Sequence, residues 1–76
     1  MKEILERLGL EEKEAKIYLA LLKLGKANVA KISKEAQIER TLCYSIIQKL
    51  IEKGLLSYAL EGNIKYFSAS NHEKLL

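Results

Sequence analysis

A single α+β domain of the winged helix-turn-helix class, mostly helical with a C-terminal two-stranded wing, is what this sequence predicts. Three observations predict it. Residues 32–56, "ISKEAQIERTLCYSIIQKLIEKGLL", carry two amphipathic segments joined by a very short turn. "LLSYAL" and "IKYFSA" then switch to strand-like composition around Glu61-Gly62-Asn63, a compact hairpin turn. A chain of 76 residues has room for one domain, here 1–76 without a linker or repeat.

Each element has a local reason. Residues 2–8 form a short amphipathic segment with Ile4, Leu5 and Leu8 on one side, interrupted at Gly9. The next helix runs from about Glu11 to Leu24. Its glutamates 11, 12 and 14 suit the positive end of the helix dipole. Ala15, Tyr18, Leu19 and Leu22 keep helical spacing and are expected to face the core. A second stripe, Ile17, Leu21 and Leu24, is then left to meet the first segment or a partner chain.

Gly25 ends that helix. Asn28 is a good N-cap for a helix over 29–36, with Val29, Ile32 and Ala36 inward. Gln37-Ile38 is the turn. A helix over about 39–53 follows, with Cys43, Ile46, Ile47 and Leu50 inward and Gly54 as its stop. After the hairpin, in which Gly62 or Asn63 supplies a positive φ, Ser70-Asn71-His72-Glu73 matches a capping box that would open a terminal helix.

Composition excludes several function classes. The N-terminus "MKEILERLGLEEKE" is too charged for a signal peptide, and no apolar run approaches the roughly 18 residues of a membrane span, so a cytoplasmic protein is expected. Cys43 has no second cysteine to bridge and lies far in sequence from His72, so neither a disulfide nor a metal site is expected, and no cofactor. Catalysis lacks a nucleophile–base pair, a phosphate-binding glycine loop and an acidic cluster. A core this small is marginal by itself, and dimerisation is an expected supplement. The helical surface of Ile4, Leu5, Leu8, Ile17, Leu21, Leu75 and Leu76 is the expected interface.

Charge placement narrows the partner. Residues 1–25 carry five basic and five acidic side chains, whereas residues 26–53 carry six basic and three acidic ones. The excess falls on the helix-turn-helix, which suits a polyanion. Ile32, Ala36, Ile38, Cys43 and Ile46, with Ser33 where the helices approach, are spaced to lock the two helices. The start of the second is then free to enter a DNA major groove.

At these residues the chain resembles a known family. "LGLEEKEAKIYLALLKLG", "ISKEAQIERTLCYSIIQKLIEKGLL" and "YALEGNIKYFSA" look like the DNA-binding domain of the TrmB-like archaeal transcription regulators, over about Ile4 to Leu75. Leu8-Gly9-Leu10 with Glu14-Ala15, Arg40-Thr41 followed by Tyr44, and Lys53-Gly54-Leu55 are the most specific pieces. The resemblance implies a winged helix that binds operator DNA, usually as a dimer. Larger members add a sugar-sensing domain that this sequence does not reach, so no small-molecule effector is expected. Gln37 stands where the family usually has Gly, Glu39 where Pro is common, Leu42 at a polar or basic position, and Ile51 at a surface acid.

Arg40, in the first turn of the presumed recognition helix, is placed to grip a guanine edge, or else pairs with a nearby Glu. Thr41 and Ser45 share a face and can donate to phosphates or bases. Gln48 continues that face, and Tyr44 can reach a phosphate through its hydroxyl. Leu42 is a candidate for a thymine methyl, a partner protein or plain surface. Lys31, Lys34 and Lys49 are candidate phosphate contacts, and Asn63 and Lys65 on the wing are candidates for the minor groove or the flanking backbone. The expected function is sequence-specific binding of double-stranded DNA by a small homodimeric transcriptional regulator. The alternative is a winged-helix module for protein–protein interaction, supported by Leu42, Ile51 and Glu39.

Overall fold

The computed structural model describes residues 11–70. Three helices and three strands follow one another as α1 (Glu12–Leu24), β1 (Lys26–Ala27), α2 (Val29–Ala36), α3 (Arg40–Glu52), β2 (Leu56–Glu61) and β3 (Ile64–Ala69). The winged helix-turn-helix prediction is met. The expected segment over 2–8, the terminal helix opened by Ser70 to Glu73, and His72 lie outside the described residues or run beyond them.

α1 starts where its glutamates predict. The Glu14 carboxylate accepts the N–H of Glu11 at 2.9 Å, which satisfies one of the donors a helix start leaves open. The phase of α1 differs from the sequence expectation. Ile17 and Leu21 are fully buried, whereas Leu22 is 44% exposed and Leu19 only half-buried. This overturns the assignment of Ile17 and Leu21 to a dimer interface, since neither has surface to offer. The reason is tertiary. α1 packs against α2, α3 and β3 together, so it needs a broad apolar face, and Ala15, Tyr18 and Ala20 flank Ile17 and Leu21 to provide it.

α2 is capped by Asn28, whose Oδ1 accepts the N–H of Lys31 at 3.0 Å. It ends at Gln37, which takes the left-handed conformation, φ 59° and ψ 44°. The next residue closes the turn. Ile38 donates its N–H to the Ser33 carbonyl at 3.2 Å and buries its side chain, the arrangement of a Schellman cap. The Ile38 carbonyl in turn accepts the Ser33 hydroxyl and, at 3.3 Å, the Cys43 thiol. One residue is thereby bonded to both helices of the motif.

α3 buries Cys43, Ile46, Ile47 and Leu50, as its spacing predicts. Gly54, at φ 78°, ends it in the same way: Gly54 donates to Ile51 and Leu55 to Leu50, each at 2.9 Å. Burial pushes the Cys43 thiol up in pKa, partly countered by the neighbouring Ser33 side chain, so the side chain sits in the core as a neutral thiol and not as a reactive thiolate.

β2 and β3 pair antiparallel from Leu56↔Ala69 to Glu61↔Ile64, leaving Gly62 and Asn63 as a two-residue turn. Gly62, at φ 66°, supplies the positive φ. The sheet has a third strand that the sequence reading missed. β1 pairs with β3 through Lys26↔Ser68 and Ala27↔Phe67, in the order β1-β3-β2. Two residues carry no visible period, so only the pairing partner reveals such a strand.

The one buried charge among the described residues joins two ends of the fold. Glu14 receives Lys53 at 3.2 and 3.3 Å, tying the start of α1 to the end of α3. Burial would raise the Glu14 pKa, but the Glu11 N–H and Lys53, with Lys49 adding to the field, outweigh it and hold the carboxyl below its usual value.

Gln37→Gly removes the left-handed strain, which costs an ordinary residue about 1–2 kcal/mol, in part offset by the freer unfolded chain. It is expected to raise the thermal midpoint by roughly 2–8 °C, and an unchanged or lower midpoint would contradict the left-handed cap. Glu14 has a lower pKa folded than unfolded. Its stabilisation is therefore complete above the ordinary glutamate value, about 4.3, and is lost as pH falls through the folded value. Urea midpoints measured downward from about pH 5 should drop more steeply in the wild type than in Glu14→Gln, whereas parallel slopes would sink the assignment.

Candidate nucleic-acid interface

α3 has one face in the core and one face in solvent. Successive residues of an α-helix turn by about 100°, so Cys43, Ile46, Ile47 and Leu50 cluster inward while Thr41, Ser45 and Gln48 point the other way. Arg40, Thr41, Tyr44, Ser45, Gln48 and Lys49 are all exposed, and Tyr44 is 56% open to solvent. The sequence expectation for this face agrees with the structure residue by residue, with one exception.

That exception is Leu42. It lies on the border of the exposed face, half-buried, and packs against the core. Ile51 does the same on the opposite border. Packing on the core accounts for part of both apolar side chains, and the rest of each stays open to solvent.

The wing closes over one side of α3. An open groove is lined by Asn28, Val29 and Ala30 at the start of α2, Arg40 and Tyr44 of α3, and Asn63, Ile64, Lys65 and Phe67 of the hairpin. The fold thus brings Arg40 and Tyr44 to the same place as Asn63 and Lys65, from two separate stretches of chain. A neighbouring groove continues along α3 between Tyr44, Gln48 and Ile51 and the wing residues Tyr58 and Lys65. Lys31 and Lys34 are exposed on α2 but line neither groove. The start of α2 is the part of this surface that the sequence reading missed; Asn28 was legible as a cap but not as a groove wall.

Ion pairing sorts the basic residues. Lys23 pairs with Glu35 at 3.1 Å, Lys26 with Glu61 and Lys53 with Glu14. Arg40, Lys31, Lys34, Lys49 and Lys65 make no ion pair among the described residues, so the pairing of Arg40 with a nearby glutamate is not seen there. Lys65 instead lies over the Tyr58 ring, 4.7 Å from its centroid, a cation–π contact that holds the ammonium without neutralising it. The charges left open include those the sequence assigned to phosphate or base contacts, together with Lys13 and Lys16 on α1. Glu39, at the N-cap of α3, is placed where a negative charge favours the helix dipole. No group of three or more His, Cys, Asp or Glu able to hold a metal occurs among the described residues, and no helix there is long and apolar enough to cross a membrane.

Comparison with known proteins bears on the same surface. The model of the family described as sugar-specific transcriptional regulator TrmB matches residues 5–73. The HTH-type sugar sensing transcriptional regulator TrmBL1 of Pyrococcus furiosus is 33% identical over 78 residues; the match takes in 99% of this chain and 23% of that protein. Among solved structures, BpsR of Bordetella bronchiseptica, whose DNA binding is regulated by 6-hydroxynicotinic acid, superposes with a TM-score of 0.82 at 14% identity. That superposition covers 96% of this chain and 54% of that one. The homodimeric winged helix-turn-helix DNA-binding domain Mb0332 of Mycobacterium bovis gives 0.77 at 20% identity, over 96% and 69% of the two chains. At these identities the solved structures establish the fold alone.

Proposed function

From the premise that this chain belongs to the TrmB family of transcriptional regulators, we propose that it binds double-stranded DNA through α3 and the wing, as the DNA-reading part of a homodimeric regulator. The observation that carries the reading is the groove in which Arg40 and Tyr44 of α3 meet Asn63 and Lys65 of the wing, with none of its cations in an ion pair among the described residues.

Each side chain has a distinct task. Arg40 enters the major groove first, because it opens α3, and its guanidinium can donate two parallel hydrogen bonds to a guanine edge. Thr41, Ser45 and Gln48 follow along the outward face as donors to bases or phosphates. Tyr44 borders the wing and offers its hydroxyl to the backbone. Lys31, Lys34, Lys65 and Asn63 position the protein on phosphates without reading sequence. Lys49, exposed further along α3, is a further candidate for a phosphate.

Two copies on one duplex would place their α3 helices at half-sites about 34 Å apart. With Ile17 and Leu21 in the core, the interface falls to Ile4, Leu5, Leu8, Leu75 and Leu76, which lie outside the described residues. Occupancy of an operator would then block or recruit polymerase in the cytoplasm. The chemistry needed is recognition and not catalysis.

Binding of variants to duplexes differing at single positions tests the assignment. Arg40→Ala is expected to lose about 1–3 kcal/mol of discrimination at one base pair. Lys34→Ala should weaken all sequences alike and lower the salt dependence by roughly one phosphate. If Arg40→Ala keeps the full base preference, α3 is not the reading element.

A further inference from the structure

The groove between α3 and the root of the wing has a chemistry that phosphate contacts do not use. One wall is a single stripe of α3. Tyr44, Ile47, Gln48 and Ile51 line it, at the i, i+3, i+4 and i+7 spacing that keeps residues on one face of a helix. The other wall is one face of the hairpin. Tyr58 pairs with Phe67 across the strands, and Lys65 precedes Phe67 by two residues, so all three project from the same side of the sheet. The space between the walls is about 310 Å³, at the lower end of the range in which proteins hold small molecules.

The lining is aromatic and aliphatic with one charge. Ile47 and Phe67 are buried and give the cleft an apolar base. Tyr58 is 53% exposed, and its ring is tilted against that of Phe67 with 6.4 Å between centroids. One member of this aromatic pair therefore still has surface to offer. Lys65 is the one charged residue of the lining. Its ammonium lies over the Tyr58 ring and has no acid among the described residues. Contacts to phosphates or bases occupy Tyr44, Gln48 and Lys65. They leave the open apolar surface of Ile51 and Tyr58 without a partner.

We propose that this cleft binds a small planar aromatic carboxylate, seated between Tyr44 and Tyr58 with its acid group on the Lys65 ammonium. The lone cation sets the sign of the ligand, and the aromatic walls set its shape. The Gln48 amide can donate one further hydrogen bond to the carboxylate. The consequence for function rests on the reading of the protein as a DNA-binding domain. Ligand and duplex both need Tyr44, Gln48 and Lys65, so they exclude each other and the ligand releases the protein from DNA. Such a molecule is a small-molecule effector where none is expected from the sequence.

The cleft is tested first without DNA. Amide resonances of the isotopically labelled intact chain are followed as 2-naphthoate is added at constant ionic strength. The uncharged aromatic 2-naphthol and the charged, non-aromatic cyclohexanecarboxylate serve as controls. 2-Naphthoate should give saturable shifts at Gln48, Ile51, Tyr58 and Lys65 with a Kd on the order of 1 mM. Each control should bind at least roughly threefold more weakly. Tyr58→Ala should weaken 2-naphthoate about tenfold, whereas Tyr58→Phe should bind it as the wild type does. Tyr58 is exposed and has no assigned DNA contact, so both variants should keep their thermal midpoint and their affinity for a duplex. In fluorescence anisotropy with a labelled mixed-sequence duplex, 2-naphthoate at about five times its Kd should weaken wild-type binding about sixfold. The same concentration should change Tyr58→Ala less than about twofold. Shifts that do not saturate, shifts confined to another surface, or equal binding by wild type and Tyr58→Ala would overturn the site. Saturable binding in the cleft with undiminished DNA affinity would overturn the effector role. Failure of the wild type to bind any duplex at low salt would instead remove the DNA-binding reading, while the titration without DNA still decides the cleft.

Discussion

The carbonyl of Ile38 is the constraint on which the DNA-facing geometry depends. It accepts the Ser33 hydroxyl from α2 and the Cys43 thiol from α3, while the Ile38 N–H returns to the Ser33 carbonyl. Turning α3 about this point would strip a part-buried carbonyl of both donors, at about 1–3 kcal/mol for an unsatisfied group, and would lift the buried Ile38 side chain out of the core. The left-handed Gln37 is the cost of this geometry. A cap of this type demands positive φ at its penultimate residue, and the chain meets the demand with a glutamine because the bonds around Ile38 hold it there. Three residues thus set the direction in which Arg40 leaves the turn, and Glu14 with Lys53 fixes the far end of the same helix.

Electrostatics then divides the surface without a large net charge. The chain is only +3 overall, too little to argue for a polyanion by itself. What matters is which cations are already satisfied. Lys23, Lys26 and Lys53 are spent on internal pairs that brace α1 to α2, β1 to the wing and α1 to α3. Arg40, Lys31, Lys34 and Lys65 are left to the solvent side, and the acid nearest them on the wing is masked. Exposed pairs of this kind add little to stability, but they shape the field that an approaching phosphate meets.

Much of this was legible in the sequence, and the exceptions have physical causes. Cys43, Ile46, Ile47 and Leu50 were readable because α3 is amphipathic with a single apolar face. Asn28, Gly54 and Gly62 were readable because capping and turn chemistry is local. α1 was not, since eight of its thirteen residues are apolar or aromatic and periodicity cannot choose among stripes when several are filled; packing on two helices and a strand made the choice. β1 is too short for any period. Leu42 looked like a surface anomaly because one chain cannot show that the rim of α3 rests on the core. The groove itself was invisible for a different reason: Asn28, Arg40 and Asn63 meet only after the wing folds back beside α3. The family resemblance carried the DNA reading further than spacing alone could.

Amide resonances of the isotopically labelled chain, followed as duplex DNA is added, test the central claim most directly. The account predicts that the largest shifts fall on Arg40, Thr41, Tyr44, Ser45 and Gln48 and on Asn63 and Lys65, with Lys31 and Lys34 at their margin. Shifts concentrated instead around Lys16, Leu19 and Lys23, on the groove between α1 and the end of α2, or no shifts at low salt, would contradict it.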